Sequence, residues 1–134
     1  MKPHNWIIVL LLLPALQGWA QHRTATPAEL AAGKRVYERN CMVCHQKDGD
    51  GVPRLNASLV GSKVVNGNLN TLIKVVLLGS EKAGTSTGEY ANPMPAQAHL
   101  TDEEIAHVLT YIKYNFQNKP GVVRPRDVKH LREK

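Results

Sequence analysis

Residues 41–45 read Cys41-Met42-Val43-Cys44-His45, and the rest of the chain is best read outward from them. Two thiols three positions apart on one helical turn are spaced to add across the two vinyl groups of a single haem. The histidine that follows is then placed under the iron as its proximal ligand. Cys41 and Cys44 are the only 2 cysteines in the chain, so both are used and none is left over. Two other uses of such a pair fit less well. A thioredoxin-like redox motif wants a strand before it and has no use for a histidine directly after it. A zinc site wants a second Cys or His pair at finger-like spacing, which the sequence lacks. The motif therefore predicts one covalent haem c on Cys41 and Cys44, with His45 bound to the iron.

The N-terminal flank fits an exported protein. Lys2 and His4 give a short basic start, Trp6 to Leu16 is apolar apart from Pro14, and Gly18-Trp19-Ala20 supplies small residues around a cut before Gln21. This apolar core is well short of the ~20 residues that cross a bilayer as a helix. We expect residues 1–20 to be a cleaved secretory signal and residues 21–134 to be one domain, with an uncleaved anchor as the alternative. No cysteine follows the cut to take a lipid. Covalent haem attachment is expected outside the bacterial cytoplasm, so the expected location is the periplasm of a Gram-negative bacterium. A cysteine pair held as thioethers also escapes the redox chemistry of that compartment.

Removing residues 1–20 takes away Lys2 and no acid, leaving 16 basic against 11 acidic side chains, a net +5. Both tryptophans leave as well, and 1 Phe and 4 Tyr remain. That is a thin aromatic inventory for a protein-only core, and a buried porphyrin would supply part of the missing apolar area. No aromatics are interleaved with the basic residues for stacking bases, which argues against nucleic acid as a partner. The excess charge is either a solvated surface or a means of steering toward an acidic redox partner.

The chain reads as all-α. Thr26-Pro27-Ala28-Glu29 is a helix start, with Thr as N-cap, Pro at the first helical position and Glu completing a capping box. Leu30, Gly33, Val36 and Tyr37 then recur at helical spacing up to Cys41. Thr101-Asp102-Glu103-Glu104 repeats the capping logic, and Ile105, Val108, Leu109 and Ile112 form an apolar stripe running to about Phe116. Between these, Asn70 to Leu78 reads as a shorter helix closed by Gly79, or else as a buried strand; helix is preferred because no partner strand is in sight. Asp48-Gly49-Asp50-Gly51 is a tight turn, since the later ligands of a calcium loop are missing. Val128 and Leu131 can pin a short last helix in the basic tail from Arg124 to Lys134.

Taken together, the chain resembles the class I cytochromes c, the small, soluble, all-helical ones, over nearly all of residues 26–134. The matching residues are Gly33 and Tyr37, Cys41/Cys44/His45, Met94-Pro95, and Thr101-Asp-Glu-Glu-Ile leading to Val108-Leu-Thr-Tyr111-Ile. The resemblance implies that the first and last helices cross around one haem, with Gly33 allowing close approach and Tyr111 packing beside it. More narrowly, Asn92-Pro-Met-Pro, Leu-Thr-Asp-Glu-Glu-Ile and the basic tail resemble monohaem cytochromes that accompany bacterial periplasmic dehydrogenases and reductases. The family also implies a backbone carbonyl that accepts the proximal imidazole N–H. Pro53 lies near the expected place, but Gly51-Val-Pro-Arg aligns in more than one way.

The sixth iron ligand decides between carrying electrons and binding small molecules. Met94 stands 49 residues after His45 between Pro93 and Pro95, which hold a loop in one shape and so can deliver a thioether to the iron. A core role for Met94 is opposed by the absence of any helical or strand periodicity around it. Met42 lies inside the attachment loop and Met1 leaves with the signal. His99 is the rival, giving bis-His ligation, and an open site is the third option. His22, His107 and His130 read as solvated, while Leu55, Leu59 and Val60 are candidates to wall the haem. Lys47, Arg54 and Lys82 are candidates to ring its edge. No nucleophile, general base or phosphate loop is apparent, so the expected function is single-electron transfer between a redox enzyme and a respiratory acceptor. The alternatives are a haem-based sensor or peroxidase-like enzyme with an open distal site, and a fixed electron-entry subunit of a dehydrogenase complex.

Overall fold

The computed structural model describes residues 23–134; the expected signal at 1–20 and His22 lie outside these. Six helices are found among the described residues: α1 (Pro27–Asn40), α2 (Met42–His45), α3 (Lys63–Asn66), α4 (Leu69–Leu78), α5 (Asp102–Tyr114) and α6 (Pro125–Arg132). There is no strand among them, only an isolated bridge between Val52 and Asn56. The stretch around residues 70–78 is therefore helix. It begins slightly earlier than expected because the Asn68 side chain accepts the Thr71 N–H at 3.2 Å and caps it.

Both expected capping boxes form. In α1 the Thr26 hydroxyl accepts the Glu29 N–H while Glu29 takes the Thr26 N–H at 2.9 Å. In α5 Thr101 and Glu104 exchange the same pair of bonds, at 3.1 and 3.0 Å. α1 and α5 cross at Gly33. A Cβ there would stand 2.6 Å from Tyr111 Cβ and closer still to the His107 carbonyl oxygen, so only glycine lets the backbones approach this far. Around the crossing Val36 and Tyr37 of α1 pack on Ile105, Val108, Leu109 and Ile112 of α5, with Leu72, Ile73 and Val76 of α4 completing the core.

Three of the five aromatics among the described residues gather in one place. Tyr37, Tyr111 and Phe116 stand with ring centroids 5.2–6.0 Å apart in tilted and edge-on pairs. Burial pushes the Tyr37 hydroxyl pKa well above its ordinary value, and the group donates to the Gln46 carbonyl at 2.7 Å. This bond pins the chain directly after His45. The basic tail is ordered as α6: Val128 is fully buried, and Arg132 donates to Asp102 Oδ1, the Ala98 carbonyl and the Leu100 carbonyl at 2.7–2.8 Å.

Candidate haem centre

α2 is a single helical turn closed by Cys44 N–H and His45 N–H, both donating to the Cys41 carbonyl. That turn brings Cys41, Cys44 and His45 to one wall of a cleft of about 530 Å³. The remaining lining is largely apolar, with Val65, Leu72, Val76 and Leu109 facing the space. The imidazole is held from behind: His45 Nδ1 lies 2.8 Å from the Ala57 carbonyl. With Nδ1 donating there, Nε2 is the nitrogen left with a free lone pair. Burial lowers the His45 pKa, the Ala57 bond opposing it in part, so the ring stays neutral and able to bind a metal. Burial, with Cys44 adding to it, pushes the Cys41 thiol up to about 11.

Met94 lines the same cleft, whereas the rival His99 is exposed and lies outside it. Two reciprocal bonds hold the Met94 backbone against the end of α4. Its N–H donates to Ser80 Oγ at 2.9 Å, and its carbonyl accepts the Ser80 N–H at 3.0 Å. Gly79, at φ +84°, is packed so tightly here that a Cβ would stand 2.7 Å from the Met94 carbonyl oxygen. The loop then crosses to the segment after the haem motif. There Ala91 N–H donates to the Arg54 carbonyl at 2.8 Å and Asn92 N–H to the Leu55 carbonyl at 3.0 Å.

Of the three residues read as wall candidates, Leu59 and Val60 line the cleft, and Leu55 does not. Leu55 is 44% exposed, and its carbonyl accepts the Asn92 N–H of the Met94 loop. Lys47, Arg54 and Lys82 are exposed but lie outside the lining, where Lys63 is the basic residue. His130 is exposed and His107 partly buried. Two contributors escaped the sequence reading, Ala57 and Ser80. Ala57 acts through its main chain and leaves no signal in its side chain. Ser80 had only its position after the Gly79 helix stop to mark it.

The donor set suits an iron porphyrin: a neutral imidazole, a thioether and two thiols around one apolar cleft. Among the described residues no group of three or more His, Cys, Asp or Glu is gathered as a metal-ion site. Comparison with known proteins agrees. The cytochrome c family model matches residues 30–115. The chain is 36% identical over 104 residues to the cytochrome c subunit of the quinone alcohol dehydrogenase of Gluconobacter oxydans, covering 75% of this chain and 22% of that protein. It is 31% identical over 121 residues to the fructose dehydrogenase cytochrome subunit of Gluconobacter japonicus, covering 84% and 24%. It is 36% identical over 87 residues to cytochrome c-552 of Thermus thermophilus, covering 61% and 66%. The chain thus spans about a quarter of the length of the dehydrogenase subunits it matches. A family match over most of the chain, on a helical fold with the Cys-x-x-Cys-His turn at its cleft, means that this protein belongs to the cytochrome c family, the electron-transfer proteins that bind haem c covalently.

Proposed function

We propose that this cytochrome c is an exported single-electron carrier in which Cys41 and Cys44 hold the haem and His45 and Met94 hold the iron. The observation that carries this reading is the convergence of all four residues on one apolar cleft, with the proximal imidazole already fixed by Ala57. Bound haem c supplies a one-electron iron couple, and a His/Met pair raises its potential. This chain's residues do the rest. His45 and Met94 would hold the iron of a bound haem, and the apolar lining would keep water from it.

Residues 1–20 act as a cleaved signal and the mature protein works in the periplasm. Among the described residues no helix is long and apolar enough to cross a membrane. Two of the relatives are cytochrome subunits of dehydrogenases, which supports a dehydrogenase as electron donor and favours a second reading in which the chain stays docked in such a complex. A stable co-purifying dehydrogenase would select that second reading.

The test is direct. The mature protein should weigh one haem more than residues 21–134, and acid–acetone should not strip the group. The ferric protein should show the weak near-infrared band of sulfur-to-iron bonding, and Met94→Ala should abolish it and open the iron to carbon monoxide. Ready carbon monoxide binding by the unaltered protein would select a sensor or peroxidase-like role instead.

A further inference from the structure

We propose that Ser80 is the positioning residue that keeps Met94 on the iron, an inference that rests on the reading of Met94 as an axial ligand. Pro93 and Pro95 have no N–H, so within residues 93–95 the only main-chain donor is Met94 itself. That donor goes to Ser80 Oγ at 2.9 Å, and Ser80 N–H returns to the Met94 carbonyl at 3.0 Å. The prolines fix the shape of the loop, but they do not fix where it sits. Ser80 does that.

The same residue also fastens the other end of the loop. Its carbonyl accepts the Thr85 N–H at 2.9 Å, the Ser86 N–H at 3.3 Å and the Thr85 hydroxyl at 3.3 Å. Residues 81–93 therefore leave and return to a single point at the end of α4. Ser80, Thr85, Ser86 and Met94 all line the cleft, so slack at Ser80 appears directly as slack at the methionine. Gly79 bears on the Met94 carbonyl from beneath, which lets α4 act as the fixed anvil for this contact.

Removing the hydroxyl deletes one of the two bonds on Met94 and leaves the main-chain bond in place. A single neutral hydrogen bond of this kind corresponds to a roughly three- to tenfold change in an equilibrium. In ferric Ser80→Ala the methionine should therefore leave the iron more often. Binding of added imidazole, which competes for that position, should tighten by roughly three- to tenfold, and the sulfur-to-iron band should bleach at lower temperature. Ser80→Thr, which keeps the oxygen, should restore both to the unaltered values. Thr101→Ala, which loses a helix cap outside the cleft, should leave imidazole affinity unchanged.

Met94→Ala separates the two claims. If it leaves imidazole affinity unchanged, Met94 is not the ligand and the reading beneath the proposal fails. If it tightens imidazole binding while Ser80→Ala does not, the ligation stands and the role of Ser80 is overturned. Amide exchange on the unaltered ferrous holoprotein needs no variant to fold: the Met94 N–H should be protected, and exchange at the rate of an open loop also overturns the proposal.

Discussion

The Ala57 carbonyl stands 2.8 Å from His45 Nδ1, and its position is set by the turn that precedes it. Gly51, at φ +69°, sits beneath that turn, and a Cβ on it would stand 2.7 Å from the Ala57 oxygen. Gly51→Ala should therefore displace the carbonyl, weaken the bond to Nδ1 and make the imidazole a less basic ligand. A less basic ligand stabilises the ferric state less, so the reduction potential should rise in a potentiometric titration. The left-handed backbone should cost a further ~1–2 kcal/mol of stability in thermal unfolding. An unchanged potential would mean that Ala57 only orients the ring. At this scale, what the sequence reveals depends on whether a side chain or the main chain does the chemistry. Cys41, Cys44, His45 and Met94 stood out in the sequence because thiols, imidazole and thioether are rare and specific, and the structure brings the four to one cleft. Every residue has a carbonyl, so Ala57 became visible only once the bridge from Val52 to Asn56 fixed the register of its loop.

Helix starts were legible for a related reason: capping is a side-chain property read over four residues. Thr101→Ala should remove about 1 kcal/mol of stability by leaving the Glu104 N–H without its acceptor. The effect has a pH signature. The Thr101 N–H holds the Glu104 carboxyl below its ordinary 4.5, with smaller help from the Thr101 hydroxyl and from Arg39. A lowered folded-state pKa means that this contribution is complete above about 4.5 and is lost as pH falls through the folded value. Glu104→Gln removes the titrating group itself, so denaturation midpoints of that variant and the unaltered protein should be furthest apart near neutrality and converge toward acid. Gly33→Ala tests the crossing itself. It drives a methyl into Tyr111 Cβ and the His107 carbonyl and should destabilise by ~1–3 kcal/mol or more. α3 was not foreseen, because a single turn over Lys63–Asn66 has no room to show periodicity. Leu55 was offered as a haem wall because hydrophobicity marks it for burial, yet the residue is 44% exposed and its main chain meets the Met94 loop.

Across the whole molecule, the net +5 carried by residues 21–134 should show itself in how fast partners meet. If it steers an acidic partner, the second-order electron-transfer rate should fall steeply with added salt, since screening limits surface charge to about 8–10 Å near physiological ionic strength. Charge reversal at Lys47, Arg54 or Lys82 should slow association and leave the haem spectrum intact; a rate flat in salt would mean apolar docking. Deleting the basic tail is not a clean comparison. It would expose the core under Val128 and release the three acceptors that Arg132 ties down. Reversal of exposed Arg126 tests the tail's charge without that damage. The pairing of α1 with α5 also sets an order of events in time. α1 ends at Asn40, just before the attachment turn, but its packing partner does not begin until Asp102. A contact between such distant segments cannot form while the chain is still emerging. Until the last quarter of the chain arrives, the turn bearing Cys41 and Cys44 has no finished wall behind it. Its thiols, which line the cleft in the folded chain, are less enclosed for the length of that delay.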